Sequence, residues 1–544
     1  KFPDMIRPLF LIGLALLASL RSFAAGEVER LALVAKSWGI VKYYHPALAS
    51  GRINADSLLL TMLQQVDDAG AEKTAEDVLL SIITRLGPVS SGACDSKRLL
   101  EGKEAVASFT WIDGLMNNAL RGRLKELSNV RCDGKHVSLN ATPNASQITS
   151  VSSKERGDTL PIPDLTQRYL SLFRAWNAIK YFSPLAAGAG WDAALDELIP
   201  AFRNATDQDS YQLACLRMLA LLGDGQAKAH SKFLQQYWGS FQVPFDATQA
   251  EGDVLVTRGT NDSLLSACGL KIGDRVLKMG NADINARIAN RRQFIGASRQ
   301  SVQDERILRL LFLDRKQSAL VLTLNRKGVE LIDTVQRLPL HDLGRMREQP
   351  PAVEVLSGGY LLRAHRINTA TQLRQLMDSL RTAPKLVIDL RDNVAPGMES
   401  NWLQQLGGVQ TFLLPQRVPF MTRPGYYFQR TDTLRPNAKF PVPPFTGKLF
   451  LLVNEETQGA AERLAFLLQQ LPGTTTVGSP SAGACGSTSF LSLPGGVDVE
   501  FTGQLITYPD GTLLTRNGLK VDRPVRPTAA AISAGKDLLL ESVR

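Results

Sequence analysis

The stretch Leu449–Leu468, LFLLVNEETQGAAERLAFLL, changes its period halfway along. Leu449 to Val453 is a continuous apolar run, the pattern of a strand buried on both faces. Leu464, Leu467, Leu468 and Leu471 follow the i, i+3, i+4, i+7 spacing of a helix. Between them lies a polar turn. A strand, a turn and a helix N-terminus place free backbone N–H groups where a developing oxyanion could be stabilised, an arrangement many hydrolases use to hold a nucleophile. The residue at this turn is Gly459, which has no side chain.

Outward from this stretch the alternation continues. Leu386-Val387-Ile388-Asp389-Leu390 reads as a second buried strand, and Leu373, Leu376, Met377 and Leu380 as the apolar face of a helix. An α/β domain is expected over 352–544. The joint before it, Arg345–Pro351, carries two prolines. The segment 243–345 contains CGLKIGDRVLKMGNADI (Cys268 to Ile284), in which Gly-Leu and Gly-Asp turns frame a strand Arg275–Met279, and it closes on the β-rich run Leu320 to Leu324. This resembles a PDZ domain, which implies capture of an extended peptide, or of an unfolded protein, by strand addition at a sheet edge. A spacer whose groove binds nothing is the alternative.

The N-terminal half contains a repeat. WGIVKYYHP (Trp38 to Pro46) aligns with WNAIKYFSP (Trp176 to Pro184), matching Lys42 with Lys180, Tyr43 with Tyr181 and Pro46 with Pro184. Two related helical units are expected, 26–141 and 165–242, their aromatic residues serving packing. Residues 142–164, rich in Ser, Thr, Asn and Pro, read as a linker.

At 544 residues, 44% hydrophobic and 21% charged, the chain has the makeup of a globular protein of several domains. Residues 1–24 read as a secretory signal, with Met5 as its start, a run of apolar residues from Leu9 and a small-x-Ala site at Ala24. Export to the periplasm or cell envelope is expected, with no membrane span after cleavage. An uncleaved anchor, which Arg21 favours, stays open. Five cysteines do not make a disulfide scaffold, and Cys94 with Cys132 is the pair to test, while Cys215 and Cys268 read as buried small residues. With no CxxC or HExxH and five scattered histidines, neither a metal site nor a cofactor is expected. The net charge of +10, with its local excess from Arg287 to Arg347, reads as solvated faces and not as a nucleic-acid surface.

Five motifs in order, LGDGQ (Leu222 to Gln226), VIDLRDN (Val387 to Asn393), the strand-turn-helix of Leu449–Leu468, VGSPSAGACGS (Val477 to Ser487) and NGLKVDRPVRPT (Asn517 to Thr528), resemble the tail-specific, or C-terminal-processing, serine peptidases, nearest their tricorn-protease-like branch. The resemblance covers most of the chain from about residue 165. It implies a ClpP/crotonase-like α/β core beside the PDZ-like β domain and the helical N-terminal units.

The resemblance also implies a serine three residues before a glutamate, in a Ser-Ala-Ala-Glu-like string. Counting back from Glu462 gives Gly459, followed by Ala460, the oxyanion-hole candidate. One branch places a lysine base where this chain has Ala484. The tricorn-like branch takes a histidine from a Gly-Asp-Gly-His string, and that position is Gln226. The turn that supplies further oxyanion N–H groups reads Val394-Ala395-Pro396-Gly397, and Pro396 has none to give. Read as an N-cap with Glu462 closing a capping box, Gly459 would cost only a few tenths of a kcal/mol relative to serine.

Two readings follow. In the first, the chain is a catalytically impaired member that binds peptides or protein partners. In the second, it is an active serine-type endopeptidase cleaving unfolded or C-terminally tagged proteins, with its catalytic set misaligned in this reading or relocated. Cys485 and Ser487 are the leading relocated-nucleophile candidates, with Thr457, Ser479 and Ser481 behind them and His230 as a substitute base. The sequence leaves the oligomeric state open.

Overall fold

The structure is a computed structural model describing residues 26–69, 73–89, 103–130, 136–137, 139–143, 149–153, 160, 162–187, 189–421, 423–436 and 441–544. The expected signal segment, Cys94 and Cys132 lie outside the described residues. The fold is multidomain α/β, with two compact units that interleave along the chain. One comprises residues up to Met218 together with Pro419–Phe428 and Ser489–Val499. The other comprises Leu219–Val418, Gln429–Thr488 and Glu500–Arg544. The first expected helical unit and the second as far as Met218 fall in one body, and residues 219–242 fall in the other.

In the first unit the repeat is a packing device. Helix α1 (residues 26–44) and helix α2 (Leu165–Phe182) carry the matched motifs. The indole N–H of Trp38 donates to Ala55 O at 2.7 Å and that of Trp176 to Trp191 O at 2.9 Å. Lys42 Nζ stands 4.7 Å from the Trp38 ring centre and Lys180 Nζ 5.0 Å from that of Trp176, cation–π contacts repeated in kind. Tyr43 and Tyr181 meet edge to face, 4.9 Å between centroids. Part of the stretch read as a linker is strand: Thr149–Ser153 pairs antiparallel with Leu139–Pro143, and Ser152 also pairs parallel with Phe490.

The second unit begins with a β-rich module. Strands β1 (Phe245–Ala250), β2 (Asp253–Gly259), β3 (Arg275–Met279), β4 (Ala319–Arg326) and β5 (Val329–Gln336) form an antiparallel sheet in the order β5-β4-β3-β2-β1. Strand β3 has the bounds that the Gly-Asp and Gly-Asn turns imply. Helices α3 (Ile284–Arg292) and α4 (Gln300–Leu311) close its core, which holds Val254, Val276, Ile288, Ile307, Leu322 and Leu324. Several arginines of the basic stretch face inward instead of solvent. Arg326 clamps the buried Asp274 with both arms, and Arg337 donates to Phe312 O at 2.8 Å.

The rest of this unit is the α/β domain. Strand β6 (Val353–Leu356) runs antiparallel to β7 (Gly359–Arg363), after which β8 (Lys385–Asp389), β9 (Lys448–Val453) and β10 (Thr474–Gly478) add in parallel. The central strands are apolar on both faces because both are covered. Leu386, Ile388, Leu449, Leu451 and Val453 face one core with helix α5 (Ala370–Leu380), while Val387, Leu452 and Val477 face another with Leu539, Leu540 and Val543.

Candidate active site

The turn after β9 leads into helix α6 (Ala460–Leu468), with Gly459 as its N-cap. Gly459 has φ 57° and ψ −119°, in the left-handed half of backbone space, and a Cβ built on it meets nothing within 4 Å. A side chain here would project into open space from a backbone that only glycine adopts without strain. The sharp strand-to-helix turn that presents a nucleophile has this character. The turn is thus shaped for a projecting side chain and carries none. Ala460 begins the helix, at a position whose amide has no intrahelical acceptor.

The expected capping box is not formed. No side chain caps this helix, and Glu462 reaches across to the loop that follows β10. Its carboxylate accepts the Gly483 and Ala484 amides at 2.8 Å each and the Ser481 hydroxyl. Burial pushes its pKa up to about 7 against these hydrogen bonds. The reason is tertiary: the loop brings three donors to a carboxylate that would otherwise be buried alone.

Gly459 and Gln226 are brought near each other. Gly459 N donates to Ala484 O at 3.0 Å, and a Cβ on Gly225 would lie 3.1 Å from Ala484 Cβ. Ala484, the lysine position of the other branch, is therefore wedged between the two turns. Arg306 from α4 joins them, donating to Gly225 O at 2.7 Å and to Gln458 Oε1 at 3.2 Å. The Gln226 side chain donates to Thr502 Oγ1 at 3.0 Å, and that hydroxyl donates to Asp224 Oδ1 at 2.7 Å. Asp224 is fully buried, which raises its pKa, and it also accepts Thr502 N at 2.6 Å. A side chain at 226 is thus oriented by a hydroxyl that a carboxylate orients in turn. Sequence reasoning missed Asp224, Arg306 and Thr502 as a set; the aspartate in LGDGQ was the available signal.

Helix α4 and the two residues that lead into it grip the same loops. Arg299 donates to Pro480 O at 2.6 Å and to Ser481 O, Ser298 donates to Ala482 O at 2.6 Å, and Val302 packs with Ala482 and Ala484. Of the other candidates, Cys485 is buried and the Thr457 and Ser479 hydroxyls are engaged elsewhere. Cys485 is buried in the apolar core, and burial drives its thiol pKa up, away from the thiolate a nucleophile needs. Thr457 donates to Leu390 O at 2.9 Å and Ser479 to Glu455 at 2.6 Å. Ser487 is half-buried and holds the Gly503 and Gln504 amides through its backbone carbonyl. His230 is exposed, 3.3 Å from Glu500.

The site is thus a sharp strand-to-helix turn of a parallel-stranded α/β domain, held by the helix of a neighbouring β module. Residues 358–525 match the profile of Peptidase family S41, and the chain carries a domain of that family. No curated protein sequence matches the chain. Among solved structures it is similar to mature CPAF complexed with lactacystin, at 12% identity and a TM-score of 0.54, over 70% of this chain and 97% of that one. It is also similar to the photosystem II D1 C-terminal processing protease, at 16% identity and a TM-score of 0.40, over 68% of this chain and 98% of that one. A putative peptidase from Parabacteroides merdae matches at 13% identity and a TM-score of 0.43, over 70% and 96%. No helix among the described residues is long and apolar enough to cross a membrane.

Proposed function

We propose that this chain is an exported protein with a family S41 domain that has lost its own peptidase chemistry and holds extended peptides or unfolded protein segments through its PDZ-like module. The observation that carries the reading is the absence of a side chain at Gly459, on a turn whose backbone and open space suit a projecting nucleophile. A hydroxyl attacks a carbonyl only with a base beside it, and position 226 offers an amide, which cannot take a proton at neutral pH. The β module supplies the binding half, since its strand β1 ends the sheet and pairs with another strand on one side only. Purified protein treated with a fluorophosphonate probe should remain unlabelled while retaining a fluorescent unfolded substrate uncut. Covalent labelling of any serine, or cleavage of that substrate, overturns the reading. For export, N-terminal sequencing of protein recovered from the periplasm should begin just after Ala24.

A further inference from the structure

Strand β1 pairs with β2 along one side only, and helix α4 lies along it. An extended peptide adding to this sheet would enter between them and use the outward-pointing N–H groups of β1. One of those groups already faces a carboxylate. Glu305, on α4, accepts the hydroxyl of Thr248 on β1, which ties the helix to the strand, and its carboxylate is drawn toward the backbone N–H of the next residue, Gln249. We propose that Glu305 is a latch: its carboxylate occupies the donors an incoming peptide carbonyl would need, so the edge opens only when Glu305 lets go. This rests on the reading that the module takes extended peptides, and it adds that the free protein holds that edge shut.

The surroundings make the latch releasable near neutral pH. Burial pushes the Glu305 pKa up to about 7, with Glu456 and Glu455 adding repulsion against the pull of Thr248 and Gln249. The charged groups around it are those two glutamates, from the turn after β9, and Arg309, one turn on along α4, which is ion-paired to Glu456. From strand β1 the groups that act on Glu305 are the neutral Thr248 and Gln249, while its Asp246 is paired with Arg258 and Arg347. Above the folded pKa the ionised carboxylate holds the Thr248 hydroxyl by a charge-assisted hydrogen bond and attracts the Gln249 amide. As pH falls through about 7 it takes up a proton, and the grip on Thr248 and the pull on the Gln249 amide weaken. The partner this edge fits is a main chain presenting a carbonyl, because Glu455 and Glu456 repel a terminal carboxylate.

The test uses the full chain, an array of N-acetylated decapeptides lacking His, Asp and Glu, and hydrogen exchange of the segment 245–250. In Glu305→Ala that segment should exchange at least tenfold faster than in wild type, and array peptides should bind at least tenfold more tightly at pH 8. Wild-type affinity should rise several-fold from pH 8 to pH 6, while Glu305→Gln, which keeps the shape of the carboxylate without its charge, should show no such rise. If wild type and Glu305→Ala bind equally well and exchange alike, the latch is refuted and the peptide-binding reading stands. If Glu305→Ala exchanges faster yet neither protein binds any peptide, the peptide-binding reading falls and takes the latch's purpose with it.

Discussion

The amide of Asn177 stands where a side chain on Gly39 would be: a Cβ on Gly39 would lie 1.7 Å from Asn177 Oδ1. These are matched positions of the repeat, one on α1 and one on α2. Asn177 Nδ2 donates to Ala35 O at 3.0 Å and to Phe173 O at 2.9 Å, and those two carbonyls are matched positions as well. One amide serves both copies, and there is room for only one.

Gly39→Ala should therefore cost about 1–3 kcal/mol through overpacking. Exchanging the pair, Gly39→Asn with Asn177→Gly, should recover more than half of the summed single losses, because an asparagine at 39 meets the same two carbonyls from the other side. Urea midpoints of the three variants check this. Strictly additive losses would show that the two helices are not related in this way.

A side chain at 459 has a backbone cost that a simple cap position would not have. Gly459→Ser and Gly459→Ala should each lose about 1–3 kcal/mol in denaturant unfolding, since both force a side chain onto φ 57°. Equal losses would place the cost in the backbone. A serine loss near zero would mean that the turn relaxes.

Gly459→Ser alone should give almost no peptide hydrolysis. Adding Gln226→His should give a measurable rate, because an imidazole at 226 finds Thr502 already held by Asp224. The gain is bounded by Pro396, since a lost oxyanion donor costs roughly 3 kcal/mol in kcat. Wild-type cleavage that survives Gly459→Ala and disappears with Cys485→Ala or Ser487→Ala would instead establish a relocated nucleophile.

Glu462 gives stability a pH dependence of known sign. Its folded pKa, about 7, lies above the unfolded value near 4.3, so the folded state binds more protons between them, and stability falls as pH rises through that window. The loss attributable to Glu462 is on the order of 2–3 kcal/mol between pH 5 and pH 8. Glu462→Gln should be less stable at pH 5, where its NH2 confronts a backbone donor, and should show a correspondingly smaller fall by pH 8. Parallel pH profiles for the two proteins would exclude Glu462 as the source.

Arg306 should matter more than an exposed arginine, as its fork reaches Gly296 O, Gly225 O and Gln458 Oε1. Arg306→Ala should cost about 2–3 kcal/mol, and Arg306→Lys should recover less than half of it, because one ammonium cannot span acceptors on separate loops. Calorimetric unfolding of the full chain measures both.

The strands of the α/β domain were legible because burial on both faces leaves unbroken apolar runs such as Leu386–Ile388 and Leu449–Val453. Arg275–Met279 was legible from the glycine turns on either side. The position of Gly459 as the family-equivalent site could be read only through the resemblance, from its distance to Glu462, and its conformation could not be read at all: a positive φ and open space are properties of the folded turn. The capping-box reading failed because Glu462 has better partners in a loop distant in sequence. The basic stretch gave no sign that Arg299 and Arg306 turn inward, since charge alone does not say which arginines will meet carbonyls.

The first unit is completed by chain that lies far beyond it in sequence. Tyr44 donates its hydroxyl to Pro424 O, Gly425 N donates to Tyr181 O at 2.9 Å, and Tyr211 Oη donates to Pro494 O at 2.6 Å. A ribosome adding roughly 5–20 residues per second reaches the last of these partners tens of seconds after it has made α2. Until then the buried aromatic face around Tyr43 and Tyr181 has no lid, and the nascent chain has no finished body to lock into. Order of synthesis and order of folding are uncoupled in this protein, and truncation before residue 489 removes part of the helical unit as well as the end of the α/β domain.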